Sequence, residues 1–463
     1  MPASDPAADL PEPASFRDPS GHVFWREGVV HRRVEARYAS HYDRLMGSGL
    51  YEKLVAGGQL VAHEEVSLGL ADQGAYRVLR PQALAFISYP YEWCAGQLRA
   101  AALLTLDVMR TALDHGLVLK DASAYNVQFV GSRPVLVDTL SFEAYEEGRP
   151  WVAYRQFCEH FLAPLALACA GDPRALGLLR AHIDGVPLPL ASALLPGTTW
   201  LRFGLLTHVH LHARAQARLG DETKAATRAT LSKHSLLALI DSLRRTIDVL
   251  LRPTRPSDWS DYEATCSYSA ESRRQKTDVV RRFLEAAGAK LVLDLGANTG
   301  AFSRLAAEAG AFVVSIDGDP EVVAANFKHL GAARDERILP LVMDLSNPSP
   351  GLGWDGRERK SLADRGPADA LLALALVHHL ALGNNVPLPM VAAWLARLAP
   401  RALVEFVPKE DPQSQRLLAV REDVFDRYDR GHMEEALAKH FTIESATQLS
   451  GSGRVLYICG PRS

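Results

Sequence analysis

Three acids occupy equivalent places in the second half of the chain: Asp294 in LVLDLG, Asp317 in FVVSIDG and Asp344 in LPLVMDL. Each follows a short apolar run. Between the first two lies G-A-N-T-G, with Gly296, Asn298 and Gly300, leading into FSRLAAEAG. Glycines in such a turn let a ligand approach the backbone where a Cβ would intrude, and the N–H groups of the following helix offer polar contacts. Asp317 lies 21 residues beyond Gly296, the spacing at which an acid in a doubly wound fold reaches a ribose hydroxyl. Asp294 is placed to accept from a cationic or hydroxyl-bearing ligand, and Asp344 would sit on the same rim near an adenine. This chemistry is the binding of a nucleoside-bearing cofactor. Of the two candidates, NAD calls for G-x-G-x-x-G cradling a pyrophosphate. Here Asn298 replaces the second glycine and Ala301 stands at the third. S-adenosylmethionine (SAM) has no pyrophosphate and does not need that approach.

A second set of residues could move a proton. His378 and His379 follow the run ADALLALALV, Glu405 lies in RALVEFV and Lys409 comes just after it. Histidine suits a general base, since its unperturbed pKa is about 6.5; the plainer role is capping a strand end and lining the pocket. No Asn/Asp-Pro-Pro-Tyr/Phe signature follows the fourth run, which argues against nucleobase or glutamine acceptors.

The elements that must position these residues alternate. Short apolar runs separated by helix-compatible stretches predict an open parallel sheet covered by helices. At the end, FTIESA and RVLYICG are joined by a short Gly/Ser segment, predicting an antiparallel hairpin. The fold class is therefore α/β, with a Rossmann-like C-terminal sheet. Upstream, Leu98, Ala102, Leu106, Met109 and Leu113 mark one face of a helix. YNVQFV and RPVLVDTL are linked at Gly131 and Ser132 like a hairpin, and residues 151–251 are mainly helical in pattern. RPTRPSDWSD marks the boundary between halves. The expected division is a disordered tail at 1–15, an accessory domain at 16–251, a linker or cofactor-capping segment at 252–275, and the catalytic domain at 276–463. The polar stretch 347–367 is expected to be a mobile loop on the rim.

Composition narrows the class further. A chain of 463 residues calls for two or three domains, and 48% hydrophobic with 23% charged residues is the make-up of a folded protein. A net charge of −3 gives no global reason to expect nucleic-acid binding; the densest basic run (Arg244, Arg245, Arg252, Arg255) reads as a solvated helix end. Five scattered cysteines form no metal-ligand spacing and no disulfide framework, which points to a reducing cytoplasm. The acidic, Pro/Ala-rich start is not a signal peptide. No apolar run reaches the roughly 18 residues a membrane span needs. The longest, Ala370 to Leu382, reads as a buried strand. His208, His210 and His212 alternate, but in a helical context, so they point to different sides and are expected as surface or core residues.

Residues 259–463 resemble class I SAM-dependent methyltransferases, with DLGANTG similar to the first motif, SIDGD to the second and VMDL to the third. WSDY, DLGANTG, LALALVHHL, VEFVPKEDP and RVLY together resemble bacterial nodulation-related methyltransferases. The resemblance implies that Asp294, Gly296, Asn298 and Gly300 surround the methionine part of SAM, Asp317 the ribose and Asp344 the adenine. It also implies that the segment before the first strand closes over the cofactor, bringing Tyr262 or Tyr268 near it; an amphipathic linker is the alternative. The acceptor expected is a small molecule or glycan.

HGLVLKDASAYNVQFVGSRPVLVDTLSF resembles the catalytic segment of kinase-like phosphotransferases, which makes the N-terminal half a mostly helical, kinase-like module. The resemblance implies that Asp121 orients a hydroxyl while Asn126 and Asp138 hold Mg²⁺ on nucleotide phosphates. The sequence departs from that pattern. Leu119 stands where histidine is usual, Thr139 and Leu140 follow Asp138, and residues 16–95 contain no convincing glycine-rich loop or nucleotide lysine. Two further readings stay open: a non-catalytic SAM-binding scaffold, and a bifunctional protein with phosphotransfer in its N-terminal half.

Overall fold

The computed structural model describes residues 10–69, 74–219, 231–250, 269–419 and 422–462. The chain divides into two units. The first comprises Met1–Phe129, Arg133–Pro253 and Leu352–Arg359, and the second Val130–Ser132, Thr254–Gly351 and Lys360–Ser463. Among the described residues no helix is long and apolar enough to cross a membrane.

The first unit opens with five antiparallel strands: β1 (Leu10–Pro11), β2 (Gly21–Arg26), β3 (Val29–Glu35), β4 (His63–Val66) and β5 (Ala75–Pro81), in the order β1-β2-β3-β5-β4. The β2–β3 turn is Glu27 and Gly28, both with positive φ, the backbone a two-residue hairpin prefers. The rest of the unit is mostly helical, as expected, but this sheet was not anticipated. Its strands bury few side chains (Val34, Val78, Leu79 and Phe24 among them) and expose much of the rest, which leaves the alternation signal thin. The tail expected at 1–15 also shortens: Leu10 and Pro11 pair with Trp25 and Phe24, and the Glu12 N–H bonds Val23 O at 3.0 Å.

The expected helix forms over Ala95–Asp114, with Leu98, Ala102, Leu106, Met109 and Leu113 all buried. β6 (Leu117–Leu119) pairs with β9 (Phe142–Ala144), and β7 (Val127–Val130) with β8 (Arg133–Leu136) across Gly131 at φ 59°. The helix Lys233–Asp248 is fastened to Ala95–Asp114 by Arg99–Asp248, Arg110–Asp241 and Arg244–Asp107. Arg244 is thus an ion-pair partner, while Arg252 and Arg255 lie outside the described residues. His208 and His210 are core residues. His208 bonds Tyr154 and Ser242 at 2.8 and 2.9 Å, and His210 bonds Ser192 and Thr199 at the same distances.

The second unit is a seven-stranded sheet ordered β12-β11-β10-β13-β14-β16-β15. β10 (Leu291–Leu295), β11 (Phe312–Asp317), β12 (Ile338–Val342), β13 (Ala370–Ala373) and β14 (Ala402–Phe406) run parallel. β16 (Val455–Pro461) is antiparallel to both β14 and β15 (Phe441–Gln448). This is the Rossmann-like α/β sheet with the terminal antiparallel hairpin that the sequence predicts. The helix Ala270–Ala287 buries Val279, Val280, Phe283 and Leu284 in one core with Val292, Val313 and Ile338. It is capped by Ser269, whose side chain accepts the Ser272 N–H, and it ends at Gly288 in the left-handed region. Residues 270–275, expected to be linker, therefore belong to this helix.

Two other expectations change here. The apolar run from Ala370 to Leu382 is a strand only as far as Ala373; Ala375 turns out of it at φ 50°, and His379–Gly383 form a π-helical turn. Fully buried strand and buried helix share one composition, so periodicity does not separate them. The expected rim loop at 347–367 is partly built, with short helical turns at Trp354–Gly356 and Ala363–Arg365 and with Leu362 and Glu358 buried.

Candidate active site

The carboxyl ends of β10, β11 and β12 bring most of the predicted residues together. After β10 the chain turns through Gly296 (φ 76°), Asn298 (φ 50°) and Gly300 (φ 81°) before the helix Ala301–Glu308. Left-handed backbone costs a residue with a Cβ roughly 1–2 kcal/mol, and Asn is among the few that visit it routinely. That accounts for asparagine in the middle position. The two glycines serve different ends. A Cβ on Gly296 would meet Leu376 at an ordinary 3.6 Å, whereas one on Gly300 would lie 2.6 Å from Asn326 Nδ2. Gly300 thus makes room for the helix Pro320–Ala333, and Gly296 is the turn residue where an added Cβ would make only ordinary contact.

Asp317 closes onto this turn. Its Oδ2 accepts the Asn298 N–H at 2.8 Å and its Oδ1 the Asp319 N–H at 2.9 Å. The Gly318 N–H is a third donor to this carboxylate, and of its four acceptor positions one remains. Burial pushes the Asp317 carboxyl above its usual range, against the pull of those N–H groups. Asp344 lies two residues past β12 and is exposed; its Oδ1 accepts the Ser346 N–H and hydroxyl at 2.8 and 2.7 Å. Asp294 faces the interior instead of the rim. Its Oδ2 accepts the Ser303 hydroxyl at 2.6 Å, and burial drives its carboxyl up to about 6. Tyr262 and Tyr268 lie outside the described residues.

Beyond β13 and β14 the structure assembles a buried charge chain. Glu405, fully buried on β14, accepts Lys276 Nζ at 2.7 Å and the Ala375 N–H at 3.0 Å through Oε2. Its Oε1 faces Arg454 Nη1 at 3.4 Å. Arg454, at 0% exposure, also donates to both oxygens of Asp411 at 2.7 and 2.9 Å. A carboxylate held by two cations and a backbone N–H is an anchor, and it holds Ala375 in its left-handed conformation. Lys276, Asp411 and Arg454 were not singled out as site residues. Asp411 and Arg454 fall inside two of the motifs that carry the family resemblance, which was the available signal; Lys276 sits on a helix among other basic residues and gives none.

His378 and His379 follow Ala375, five and six residues past the end of β13. Their rings lie 4.1 Å apart. His378 is fully buried, and neither ring nitrogen has a hydrogen-bond partner among the described residues. Burial, the neighbouring His379, Arg454 and Lys276 hold its pKa well below the ordinary value. His379 is partly exposed, and burial with Arg454 lowers it to about 4. Both imidazoles are neutral at pH 7.

The first unit also collects its predicted residues. Asp121 accepts the Ser123 N–H at 2.9 Å and the side chains of Asn126 and Gln156. Burial, followed by the nearby Asp138, raises its carboxyl. Asp138 accepts the Ser141 hydroxyl at 2.6 Å and pairs with Arg32 Nη1 at 2.7 Å. Among the described residues no group of three or more His, Cys, Asp or Glu could hold a metal ion.

No family model matches the chain. Solved structures similar to part of it include magnesium protoporphyrin IX methyltransferase from Synechocystis PCC 6803 with bound SAH (20% identity, 41% of this chain and 84% of that one, TM-score 0.30). Another is the N-methyltransferase NodS from Bradyrhizobium japonicum WM9 (13% identity, 42% and 99%, TM-score 0.32). A third is the bifunctional kinase-methyltransferase WbdD (17% identity, 43% and 41%, TM-score 0.31). Over 455 residues the chain is 38% identical to the nodulation protein NoeA of Rhizobium meliloti strain 1021, covering 96% of this chain and 94% of that protein. With that identity sustained along nearly the whole of both chains, this protein belongs to the NoeA family of nodulation proteins.

Proposed function

We propose that this protein is an enzyme that transfers a methyl group from SAM to a small-molecule or glycan acceptor. The observation that carries the reading is the Asn298–Asp317 closure at the carboxyl edge of a sheet finished by an antiparallel hairpin. A turn of positive-φ residues and an acid with free acceptor capacity meet there, which fits a cofactor with a ribose and no pyrophosphate. Gly296 and Asn298 would hold the methionine part, Asp317 the ribose hydroxyls and Asp344 the adenine side. SAM supplies a methyl group already activated by its sulfonium, so positioning supplies much of the acceleration.

The remaining roles follow from chemistry. Glu405 is a positioning residue, because Lys276 and Arg454 occupy its carboxylate. His379, neutral and on the rim, accepts the proton of an acceptor hydroxyl; its lowered pKa makes it a weak base that stays deprotonated at pH 6 and above. Gly300 and Asp294 support the turn from behind.

Calorimetric titration with SAM, S-adenosylhomocysteine, NAD⁺ and Mg²⁺–ATP tests the reading. Binding of the SAM pair alone, weakened tenfold or more (about 1.4 kcal/mol) by Asp317→Ala, is the expected result. NAD⁺ binding, or no SAM binding by folded protein, would overturn it. Normal SAM affinity without turnover on any hydroxyl or amine acceptor would favour the non-catalytic scaffold.

A further inference from the structure

We infer that Arg32 stands where a metal ion would be needed at the Asp121–Asn126–Asp138 cluster, so that the first unit takes no Mg²⁺–nucleotide and holds the chain's own Leu352–Arg359 loop beside that cluster instead. The inference is independent of the methyltransferase reading. In phosphotransferases of the kinase type, the second acid and the asparagine carry Mg²⁺ on the nucleotide phosphates. Magnesium demands a near-octahedral shell of oxygens at roughly 2.0–2.1 Å, and Asp138, the acid that would carry it, is otherwise engaged. Arg32 reaches from β3 to place Nη1 at 2.7 Å from Asp138 Oδ1, with both side chains largely buried. The same oxygen accepts the Leu140 N–H at 3.0 Å, and the other takes the Ser141 hydroxyl. The Asn126 amide nitrogen donates to Ser141 Oγ at 3.1 Å and to Asp121, which fixes the side chain's orientation within the cluster, so Asp138 is the member that the pairing with Arg32 removes.

Charge closes the argument. Arg32 also approaches Asp18 at 3.6 Å, and Lys120 lies 3.8 Å from Asp18 and 2.8 Å from the Ser20 hydroxyl. Two fixed cations, Arg32 and Lys120, thus already stand among the three acids, and Asp138 has a guanidinium of its own. A dication at Asp138 would have to displace a guanidinium from a partly desolvated pair, and that repulsion is poorly screened.

A separate observation concerns what sits beside the cluster. Leu352 and Arg359 exchange two N–H···O bonds of 2.9 Å, closing the loop on itself. Inside it Glu358 is 1% exposed and accepts Arg17 Nε at 2.6 Å and Nη2 at 3.0 Å. Gly353, at φ 78°, leaves the space Glu358 fills; a Cβ there would lie 2.5 Å from the Glu358 Cβ. The Arg359 guanidinium lies 4.0 Å from the Tyr125 ring centroid. Arg17 precedes Asp18 and Tyr125 precedes Asn126, so the loop rests on the immediate neighbours of the cluster from two sides.

The test is thermal unfolding of the full chain with Mg²⁺, Mn²⁺ or Mg²⁺–ATP, for wild type, Arg32→Met, Arg32→Lys and Arg32→Met/Asp138→Asn. Wild type and Arg32→Lys are expected to ignore all three. Arg32→Met should gain a Mn²⁺-dependent rise in Tm that the double variant loses. A Mg²⁺–ATP response or γ-phosphate release by wild type, abolished in Asp138→Asn, would overturn the inference, as would a folded Arg32→Met indifferent to Mn²⁺. The wild-type titration decides the metal question even if Arg32→Met does not fold. For the loop, native trypsin cleavage after Arg357 and Arg359 should accelerate at least tenfold in Arg17→Ala and be unchanged by Mg²⁺–ATP; equal rates in both proteins would refute its seating.

Discussion

At the scale of single residues, Gly296 and Gly300 allow a controlled comparison. Both have positive φ, so alanine at either position strains the backbone by roughly 1–2 kcal/mol. Only at Gly300 does the added carbon also collide with Asn326. Gly300→Ala is therefore expected to lower stability more than Gly296→Ala, whereas Gly296→Ala, with nothing but Leu376 nearby, should act mainly on SAM affinity. Chemical denaturation and calorimetry on the two variants separate these effects. Asp294 has a pH signature. Its folded pKa of about 6 exceeds the ordinary 3.8, so between those values the folded state keeps a proton that the unfolded state releases. Its contribution to stability is therefore lost as pH rises through that window, amounting to about 3 kcal/mol at most. His379 acts in the opposite sense, since its lowered pKa makes the unfolded state bind the extra proton between about 4 and 6.5. Denaturation of wild type and Asp294→Asn from pH 4 to 7 isolates the Asp294 term: the variant should gain on wild type as pH rises.

At the scale of elements, the helix Ala270–Ala287 is fastened at several points. Val279, Val280, Phe283 and Leu284 pack on the sheet, while the Ser272 hydroxyl donates to Ser450 O at 2.6 Å and Gln275 to Gln448 O at 3.2 Å. Lys276 joins this helix to β14 through Glu405, and Glu405 holds the Ala375 turn at the end of β13. One buried carboxylate thus links a helix and two strand ends. Removing one partner of a buried pair costs about 3–5 kcal/mol, because the other charge remains desolvated. Lys276→Met is expected to lose about that much stability, and Lys276→Met/Glu405→Gln less than the sum of the two single changes. A double-mutant cycle by denaturation measures the coupling; additive losses would show that the pair does not act as a unit.

At the scale of the whole molecule, two units with separate cores should not melt as one. Scanning calorimetry is expected to show two transitions, and SAM at a hundred times its Kd should stabilise only the unit carrying Asp317, by about 2.7 kcal/mol. A single transition shifted as a whole by SAM would show that the units unfold together.

The sequence by itself determined the second unit in outline. Its strands are buried on both faces, so they are written as continuous apolar runs, and its glycine turn and acids keep fixed positions along the chain. The helix Ala95–Asp114 and the Gly131 hairpin were equally legible, since a helical stripe and a tight turn are local properties. The five-stranded sheet of the first unit was not, because half-exposed strands such as VVHRRVE carry little periodic signal. Tertiary structure alone decided which way each charge points. Asp294 turns inward to Ser303 while Asp317 stays at the turn, and Glu405 meets Lys276 and Arg454 from positions 129 and 49 residues away. Arg32 reaches Asp138 from β3, more than a hundred residues earlier in the chain. The physical reason is the same in each case: a carboxylate's role is set by the partners that desolvate and pair it, and those partners are distant in the chain.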